Sequence, residues 1–337
     1  YSKHRKQFKI PLIKMEGIEN KLANMIYNTW AIQSSIFVTN KLLDQGERPS
    51  VLSAIMKEQT TERGRQVIND GMDIYGGSGI CKGENNMLEK FYKNVPIGIT
   101  VEGSNVLTKN LIIFGQGLNK SHPHIQSILE AIDENDLTKF NRNFRKIVGH
   151  SIGLIASSMG YSVWGNNMLD KQTIYFACLS NIVALKGGAI KKEQSLSADM
   201  ATIMGNLYMA HCVNIYEKHF HVSEKLRDLV ISKILNENVD VFNRVINNSP
   251  YSFLLKYMIQ RKNEQYKNNH EIIEEMNNNA LLKNKLIEGV CIPNRLLLLD
   301  MMDKNTEDYE SFYQEVISVG EYNISQISKT QEIKDYF

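Results

Sequence analysis

Prolines are scarce in this chain, and their positions limit the folds that it can adopt. The 337 residues include six prolines, and none of them lies between Pro123 and Pro250. Long stretches that lack helix breakers and are rich in Leu, Ile, Lys, Glu, Gln and Met favour α-helix. The sequence therefore predicts an all-α fold.

Apolar periodicity places the first two helices. The apolar residues between positions 22 and 37 fall close to one stripe of a helix that we expect to run from about 14 to 43. Ser50 should cap a second helix that extends through about residue 74. The pair Gly76 and Gly77 would close that helix, because glycine readily adopts the left-handed turn that follows many helix ends.

Two further helices are predicted before residue 117. A short one is expected over 84–92, after which Pro96 and the β-branched residues of 97–101 indicate an extended stretch. Ser104 is the predicted N-cap of the next helix, which should run through about residue 114. Long helices with short connections are typical of an up-and-down bundle.

A second helical region follows the first bundle. We place the boundary between residues 122 and 123, so that 1–122 form the first helical bundle and 123–337 an additional C-terminal helical domain. The most apolar runs are 151–164 and 173–190. Each is too short or too interrupted to cross a bilayer, which needs about 20 apolar residues, and we expect buried helices. Peripheral membrane contact is the alternative.

Composition excludes several classes of function. With 39 basic and 37 acidic residues, the chain lacks the one-sided charge expected of a protein that binds nucleic acid or a membrane surface. Its four cysteines are far apart and form no CxxC pair, so neither a disulfide framework nor a metal site is predicted. The chain opens on Tyr1 without a signal-peptide pattern, and we expect it to be part of a longer protein.

Two glycine-containing turns are candidates for chemistry. Gly76 and Gly77 would let a backbone approach a ligand such as a phosphate closely, although a plain helix cap also explains them. Glu102 follows an apolar stretch and precedes a helix N-terminus. If the carboxylate were buried, its pKa would rise and it would suit a general base. A glutamate near an exposed helix cap is the alternative.

The order of these motifs resembles a known family. Arg5 opens the run RKQF, two long helices follow, and then come YGGSG at 75–79 and VEG at 101–103. This order resembles the C-terminal helical domain of the acyl-CoA dehydrogenases. The run TERGRQVIND at 61–70 and the run IIFGQG at 112–117 are similar to the large bacterial fatty-acid enzymes. The runs KGGAIKK at 186–192 and SLSAD at 195–199 are similar to the additional C-terminal domain of those enzymes.

The resemblance implies a reaction and a base. Glu102 falls on the position of the catalytic base, which removes the α proton of a fatty acyl-CoA thioester while the β hydrogen leaves as hydride to FAD, giving trans-2-enoyl-CoA. The backbone N–H of Glu102 would help to hold the thioester carbonyl as an oxyanion hole does. Gly103 matches a backbone position on the substrate side.

The resemblance also implies how FAD is held. Arg5 and Ser104 match residues that contact FAD, and Gly76 and Gly77 match a turn that approaches the diphosphate of FAD in a neighbouring subunit. A homo-oligomer is therefore expected. The family commonly has glutamine where Asp73 and Glu16 stand, and a carboxylate near a diphosphate would repel it unless a cation intervened.

The wider expectations follow from the same resemblance. The electron acceptor would be an electron-transfer flavoprotein, and the location would be the cytoplasm, with association at the inner face of the cell membrane as a further expectation. An acyl-CoA oxidase, which passes electrons to oxygen, is an alternative that residue chemistry does not separate. A catalytically inactive helical scaffold is the alternative from a different class.

Overall fold

The structure is a computed structural model that describes residues 1–3, 5–82, 86, 88–118, 124–263, 265 and 267–288. Within these residues the protein is almost wholly helical, which confirms the all-α prediction. The strands of the described part, β1 (Lys6–Gln7) and β2 (Ile10–Pro11), pair antiparallel as one short hairpin.

The helices follow in sequence order. They are α1 (Glu16–Asp44), α2 (Ser50–Tyr75), α3 (Gly77–Ile80), α4 (Glu89–Thr100), α5 (Asn105–Leu107), α6 (Ile125–Asp133), α7 (Leu137–Trp164), α8 (Met168–Ala184), α9 (Gln194–Phe220), α10 (Glu224–Asn247), α11 (Ser252–Leu255), α12 (Lys267–Asn278) and α13 (Ala280–Ile287). A π-helical segment, Thr108–Gln116, continues α5, and 3-10 turns occupy Leu12–Lys14, Gly187–Lys191 and Lys256–Met258.

The extended stretch predicted over 97–101 was wrong. α4 continues through Thr100 with Pro96 inside it. A proline in a helix interior removes one hydrogen bond and costs about 3 kcal/mol, but it does not force the chain to become extended. Gly98 lies close to α2, since a Cβ added there would stand 3.3 Å from Thr61 Cγ2. This close packing outweighs the weak strand propensity of the surrounding residues.

The first compact unit contains Tyr1–Trp30, Thr61–Gly98 and the described residues of 267–288. Ala23 and Trp30 are fully buried in it. Arg63 is also buried, and its Nη1 donates to Asn28 Oδ1 at 2.8 Å while the guanidinium lies over the ring of Tyr27. The hydrogen bond and the cation–π contact compensate for removing this charge from water.

The second compact unit contains Ala31–Thr60 and Ile99–Gln265. Its centre is α9, which packs on α10, on α8 and on the π-helical segment. The turn between α9 and α10 is closed by side chains, because Glu217 Oε2 accepts from Ser223 N and Ser223 Oγ accepts from Leu226 N, both at 3.0 Å. The fully buried apolar residues here include Met200, Ile203, Met209, Leu226, Ile234 and Phe242.

Buried amides connect three helices of this second unit. Gln172 Nε2 donates to Leu235 O at 3.0 Å, and Asn238 Nδ2 donates to Gln172 Oε1 at 3.2 Å. Asn206 Nδ2 then donates to Asn238 Oδ1 at 3.0 Å. Such a buried network fixes the register of α8, α9 and α10, because a shift would leave the amides without partners.

Burial of the run 151–164 was also predicted wrongly. In α7 the side chains of Ile152, Met159 and Trp164 are 62%, 55% and 78% exposed. Hydrophobicity predicted burial, but in α7 the residues of this face lie at the surface of the chain. None of the helices in the described part of the chain has the length and apolar character needed to cross a lipid bilayer.

The domain boundary at 122 and 123 stays a prediction, since residues 119–123 lie outside the described part of the chain. The described residues divide instead into the two units above, each of which contains part of α1 and of α2.

Candidate functional site

Glu102 and Gly103 form a tight turn between α4 and α5. Both have left-handed backbone angles, with φ of +54° at Glu102 and +92° at Gly103. Glycine adopts this region freely, but a residue with a side chain is strained there by roughly 1–3 kcal/mol. Glu102 is exposed, so the buried carboxylate considered from sequence is not found in this chain. Strain of this kind is concentrated at functional sites.

Ser104 starts the helix that follows the turn, as predicted. Its Oγ accepts from Leu107 N at 3.4 Å, and its carbonyl oxygen accepts from Thr108 N at 2.9 Å. In this cap the hydroxyl acts as an acceptor, so its own hydrogen can still be donated to another group. Ser104 can therefore cap the helix and bind a ligand oxygen at the same time.

The π-helical segment 108–116 anchors the turn in the second unit. Ile113 and Phe114 in this segment are buried, and the segment packs on α9. π-helical turns are rare and recur at functional sites. The sequence predicted a helix here but not its π-helical form, because hydrophobic spacing over nine residues hardly separates the two.

Lys57 on α2 makes hydrogen bonds at the C-terminal end of the turn. Its Nζ donates to Gly103 O at 2.6 Å and to Asn105 Oδ1 at 2.5 Å. Asn105 is itself buried. An ammonium group that donates to two acceptors of one turn stabilises the conformation of that turn, because hydrogen bonds from a charged donor are strong. Sequence reasoning missed Lys57, since one lysine among the polar residues of a helix gives no signal.

The residue after Lys57 supports the same segment. Glu58 is buried, its Oε2 accepts from Gln59 Nε2 at 2.9 Å, and its Oε1 lies 3.6 Å from Lys109 Nζ. Lys109 belongs to the π-helical segment. α2 thus contacts both the turn at Gly103 and the helix that follows it.

Gly76 and Gly77 lie in the first unit, at the end of α2. Gly76 has φ of +54°, as predicted for the residue after a helix. A Cβ added at either glycine would meet nothing within 4 Å. The backbone here is therefore open to approach by another molecule.

The N-terminal residues lie beside this glycine turn. The ring of Tyr1 stacks on Tyr75 with centroids 4.1 Å apart, and its hydroxyl is 3.5 Å from Ser78 Oγ. Arg5 N donates to Tyr1 O at 3.0 Å. The structure thus connects Arg5 to the glycine turn through Tyr1.

Asp73 has a cation beside it. Lys21 Nζ lies 2.8 Å from Asp73 Oδ2 and 2.8 Å from Asp70 Oδ1. The hydrogen bonds to Asp70 and then to Asp73 raise the pKa of Lys21, so the lysine is charged at neutral pH. The repulsion expected between Asp73 and a diphosphate is reduced by this ion pair.

The candidate residues therefore fall into two groups. Glu102, Gly103 and Ser104 form one turn in the second unit. Arg5 lies with Gly76 and Gly77 in the first unit.

Comparison with known proteins identifies the first part of the chain. Residues 1–115 match the sequence model of a family described as "Acyl-CoA dehydrogenase, C-terminal domain". This part of the chain belongs to the acyl-CoA dehydrogenase family. The match contains Arg5, the Gly76–Gly77 turn and the Glu102–Ser104 turn.

Curated relatives of this acyl-CoA dehydrogenase domain act on varied CoA and acrylate compounds, by their names. A 3-(aryl)acrylate reductase of Clostridium sporogenes and an acryloyl-CoA reductase (NADH) of Anaerotignum propionicum are each 30% identical over 112 residues. A cyclohexane-1-carbonyl-CoA dehydrogenase of Geobacter metallireducens is 24% identical over 112 residues. Each match covers 33% of this chain and 28% or 29% of the relative. The aligned part is thus less than a third of each relative.

A solved structure shares the fold over most of the chain. The crystal structure of an acyl-CoA dehydrogenase complexed with FAD from Bacillus anthracis superposes with a TM-score of 0.62 at 19% identity. The superposition covers 85% of this chain and 52% of that one. The fold resemblance therefore extends well beyond residue 115, into the helices of the second unit.

Proposed function

We propose that the whole protein containing this chain is an FAD-dependent acyl-CoA dehydrogenase that converts fatty acyl-CoA to trans-2-enoyl-CoA, with Glu102 as general base. The observation that carries the proposal is the turn at Glu102 and Gly103. It is strained, it is held by Lys57, and it falls on the Glu-Gly motif of the family.

The carboxylate of Glu102 would take the α proton of the thioester. The α C–H bond breaks, its electron pair helps to form the new double bond, and the β hydrogen departs as hydride. FAD, when bound, accepts that hydride and is reduced while the acyl group is oxidised. Because Glu102 is exposed in this chain, a thioester can reach it. Lys57 holds the carbonyl of Gly103, which restricts where the Glu102 side chain can point.

The described residues fit a bound FAD. Open space at Gly76 and Gly77 would admit a diphosphate from a neighbouring subunit, and Lys21 offsets the charge of Asp73 there. Ser104 keeps a hydroxyl hydrogen to donate to the flavin, and Arg5 would supply a positive charge. These roles require a homo-oligomer, which belongs to the proposal.

The proposed electron acceptor is an electron-transfer flavoprotein. The proposed location is the cytoplasm, where the protein would bind anionic lipid at the inner face of the cell membrane. Exposed apolar residues of α7 recur every three or four positions, namely Phe144, Val148, Ile152, Ile155, Met159 and Val163. Arg142, Arg145 and Lys146 are exposed on the same helix. An apolar stripe with adjacent basic residues suits an anionic bilayer surface. Sedimentation with phosphatidylglycerol vesicles, but not with phosphatidylcholine vesicles, is expected.

Reduction of an enoyl-CoA is a second candidate, favoured by the two relatives named as reductases. The same groups would act in reverse, with protonated Glu102 returning the α proton. Whether the protein oxidises acyl-CoA or reduces enoyl-CoA therefore depends on the redox partner rather than on the turn.

One experiment separates these activities. The purified whole protein is mixed anaerobically with palmitoyl-CoA, and its flavin absorbance and the enoyl-CoA formed are followed. The proposal predicts bleaching of the flavin and reoxidation by an artificial acceptor. Rapid reoxidation by air alone would indicate an oxidase. Turnover of enoyl-CoA with a reductant but none of acyl-CoA would indicate a reductase, and a colourless protein without either activity would indicate a scaffold.

A further inference from the structure

An open cleft of about 310 Å³ lies in the second unit, where the loop between α7 and α8 meets the segment that follows the 3-10 turn at 256–258. Its lining consists of Gly165, Asn166, Met168, Lys171, Ile259, Gln260 and Arg261. A cavity of about 150 Å³ is already large enough to bind benzene. This cleft can therefore hold a small molecule.

The charged groups that line the cleft are all positive. Its described lining contains Lys171 and Arg261 but no Asp or Glu. Neither of the two side chains has an ion-pair partner among the described residues. Two cations that line the same cleft repel each other, and an anion bound there would be attracted by both.

Two nearby carboxylates act elsewhere. Asp170 precedes Lys171 on α8, but successive side chains of a helix point about 100° apart, and the charge of Asp170 acts on His211 of α9. Asp240 Oδ2 on α10 lies 2.8 Å from Lys262 Nζ. The cleft between these groups therefore keeps its positive charge.

Two asparagines of α10 hold the segment that carries Arg261. Asn243 Nδ2 donates to Gln260 O at 2.9 Å, and Asn243 Oδ1 accepts from Gln260 N at 3.1 Å. Asn236 makes the same pair of hydrogen bonds with the backbone of Asn263, at 3.1 and 3.0 Å. Arg261 lies between these two attachments, so its backbone has a fixed position at the cleft.

Lys171 reaches the cleft from the first turn of α8. Its Nζ lies 5.7 Å from the centroid of the buried ring of Tyr175, a cation–π contact that orients the side chain. Met168, the first residue of α8, also lines the cleft. The partial positive charge at the N-terminus of this helix adds to the charges of Lys171 and Arg261.

We propose that this cleft binds a phosphate group, either as the free ion or as part of a small organic molecule. A guanidinium and an ammonium group both donate to phosphate oxygens, and two cations match the charge of about −2 that a phosphate group carries at neutral pH. A carboxylate has half that charge. None of the lining residues belongs to the turn at Glu102, and the proposal does not depend on the reaction that the protein catalyses.

Calorimetric titration of the whole protein, in a buffer without phosphate and at constant ionic strength, tests the proposal. The probes are inorganic phosphate, glycerol 3-phosphate and acetate. Both phosphates should bind at least tenfold more tightly than acetate. Tighter binding of inorganic phosphate would identify the free ion as the ligand, and tighter binding of glycerol 3-phosphate a phosphate group on an organic molecule.

Substitutions locate the binding. Lys171→Met and Arg261→Met should each weaken the binding of phosphate at least tenfold, because each removes a charged hydrogen-bond donor. Lys171→Arg keeps the charge and should retain most of the affinity. Lys192→Met changes an exposed lysine outside the cleft and should leave the affinity unchanged.

A melting curve for each variant establishes that it is folded. The proposal is overturned if neither phosphate binds, or if acetate binds as tightly as they do. It is also overturned if a folded Lys171→Met or Arg261→Met protein binds phosphate like the wild type, or if Lys192→Met weakens binding equally.

Discussion

At the scale of single residues, Lys57 holds the turn at Glu102, because its Nζ donates to Gly103 O at 2.6 Å and to Asn105 Oδ1 at 2.5 Å. Glu102 is a candidate from sequence because it stands in a recognisable motif between two helices, and its role as the base stays a prediction. Lys57 could not be predicted, since its partners are a backbone carbonyl and an amide that lie 46 and 48 residues further along the chain. Sequence motifs indicate residues that bind ligands. A hydrogen bond to a backbone group far away in sequence requires no particular residue pattern, so a motif does not predict it.

Lys57→Met should lower kcat of the whole protein by about 10- to 100-fold, because a small displacement of a catalytic group has effects of that size. FAD content should stay close to that of the wild type. Lys57→Arg, which keeps the charge and the donors, should recover part of the rate.

Lys225→Met is a suitable control, since Lys225 is an exposed lysine in the first turn of α10. A Lys57→Met enzyme with normal kcat would contradict the positioning role. A Lys57→Arg enzyme with the same kcat as the Lys57→Met enzyme would also contradict that role.

At the scale of elements, sequence reasoning located the long helices well and misjudged the irregular ones. α1 and α2 begin and end within about two residues of their predicted bounds. Helix propensity and capping depend on residues that are close in sequence, so they predict directly where a helix ends. The helical continuation past Pro96 and the π-helical form of 108–116 depend on neighbouring helices, and local rules do not contain that information. For the same reason, the apolar face of α7 was predicted as buried.

A histidine at the contact between α8 and α9 predicts that the free energy of unfolding depends on pH. His211 on α9 is partly buried, and burial lowers its pKa below the ordinary 6.5, opposed by the nearby charge of Asp170. As the pH falls through 6.5, the unfolded chain gains a proton that the folded chain does not. The free energy of unfolding should therefore decrease below pH 6.5 until the lowered folded pKa is reached.

Chemical denaturation of the wild type and of His211→Gln between pH 5 and 7.5 measures this effect. Glutamine keeps a hydrogen-bonding group near Thr173 but does not titrate. The variant should lose less stability than the wild type on the acid side. If the free energy of unfolding depends on pH identically in the two proteins, folding does not lower the pKa of His211.

At the scale of the whole molecule, the all-α class was predictable, whereas the domain boundary near residue 122 stays a prediction. The scarcity of prolines and the helix-forming composition sufficed for the class. The predicted boundary near residue 122 rested on the family resemblance, which is strong over residues 1–122. The compact units divide inside α1 and α2, and a helix that continues through both units carries no break in its sequence.

Residues 1–337 alone should be helical, colourless and prone to aggregate. The superposed 85% of them covers 52% of an FAD-bound acyl-CoA dehydrogenase of similar fold, and α7 exposes a row of apolar side chains. Exposed apolar surface of this kind promotes association. Circular dichroism, size-exclusion chromatography and a flavin absorbance scan test the expectation. A soluble yellow protein that dehydrogenates acyl-CoA would contradict it.

The most direct test of the account is the turnover of Glu102→Gln in the whole protein, measured beside its FAD content. The amide cannot accept the α proton, and general-base catalysis contributes about 100- to 10,000-fold. Glu47→Gln, at an exposed carboxylate in the loop after α1, serves as the control and should match the wild type. We expect Glu102→Gln to keep its FAD and to lose at least 100-fold in kcat. A variant that turns over within tenfold of the wild type would show that Glu102 is not the base.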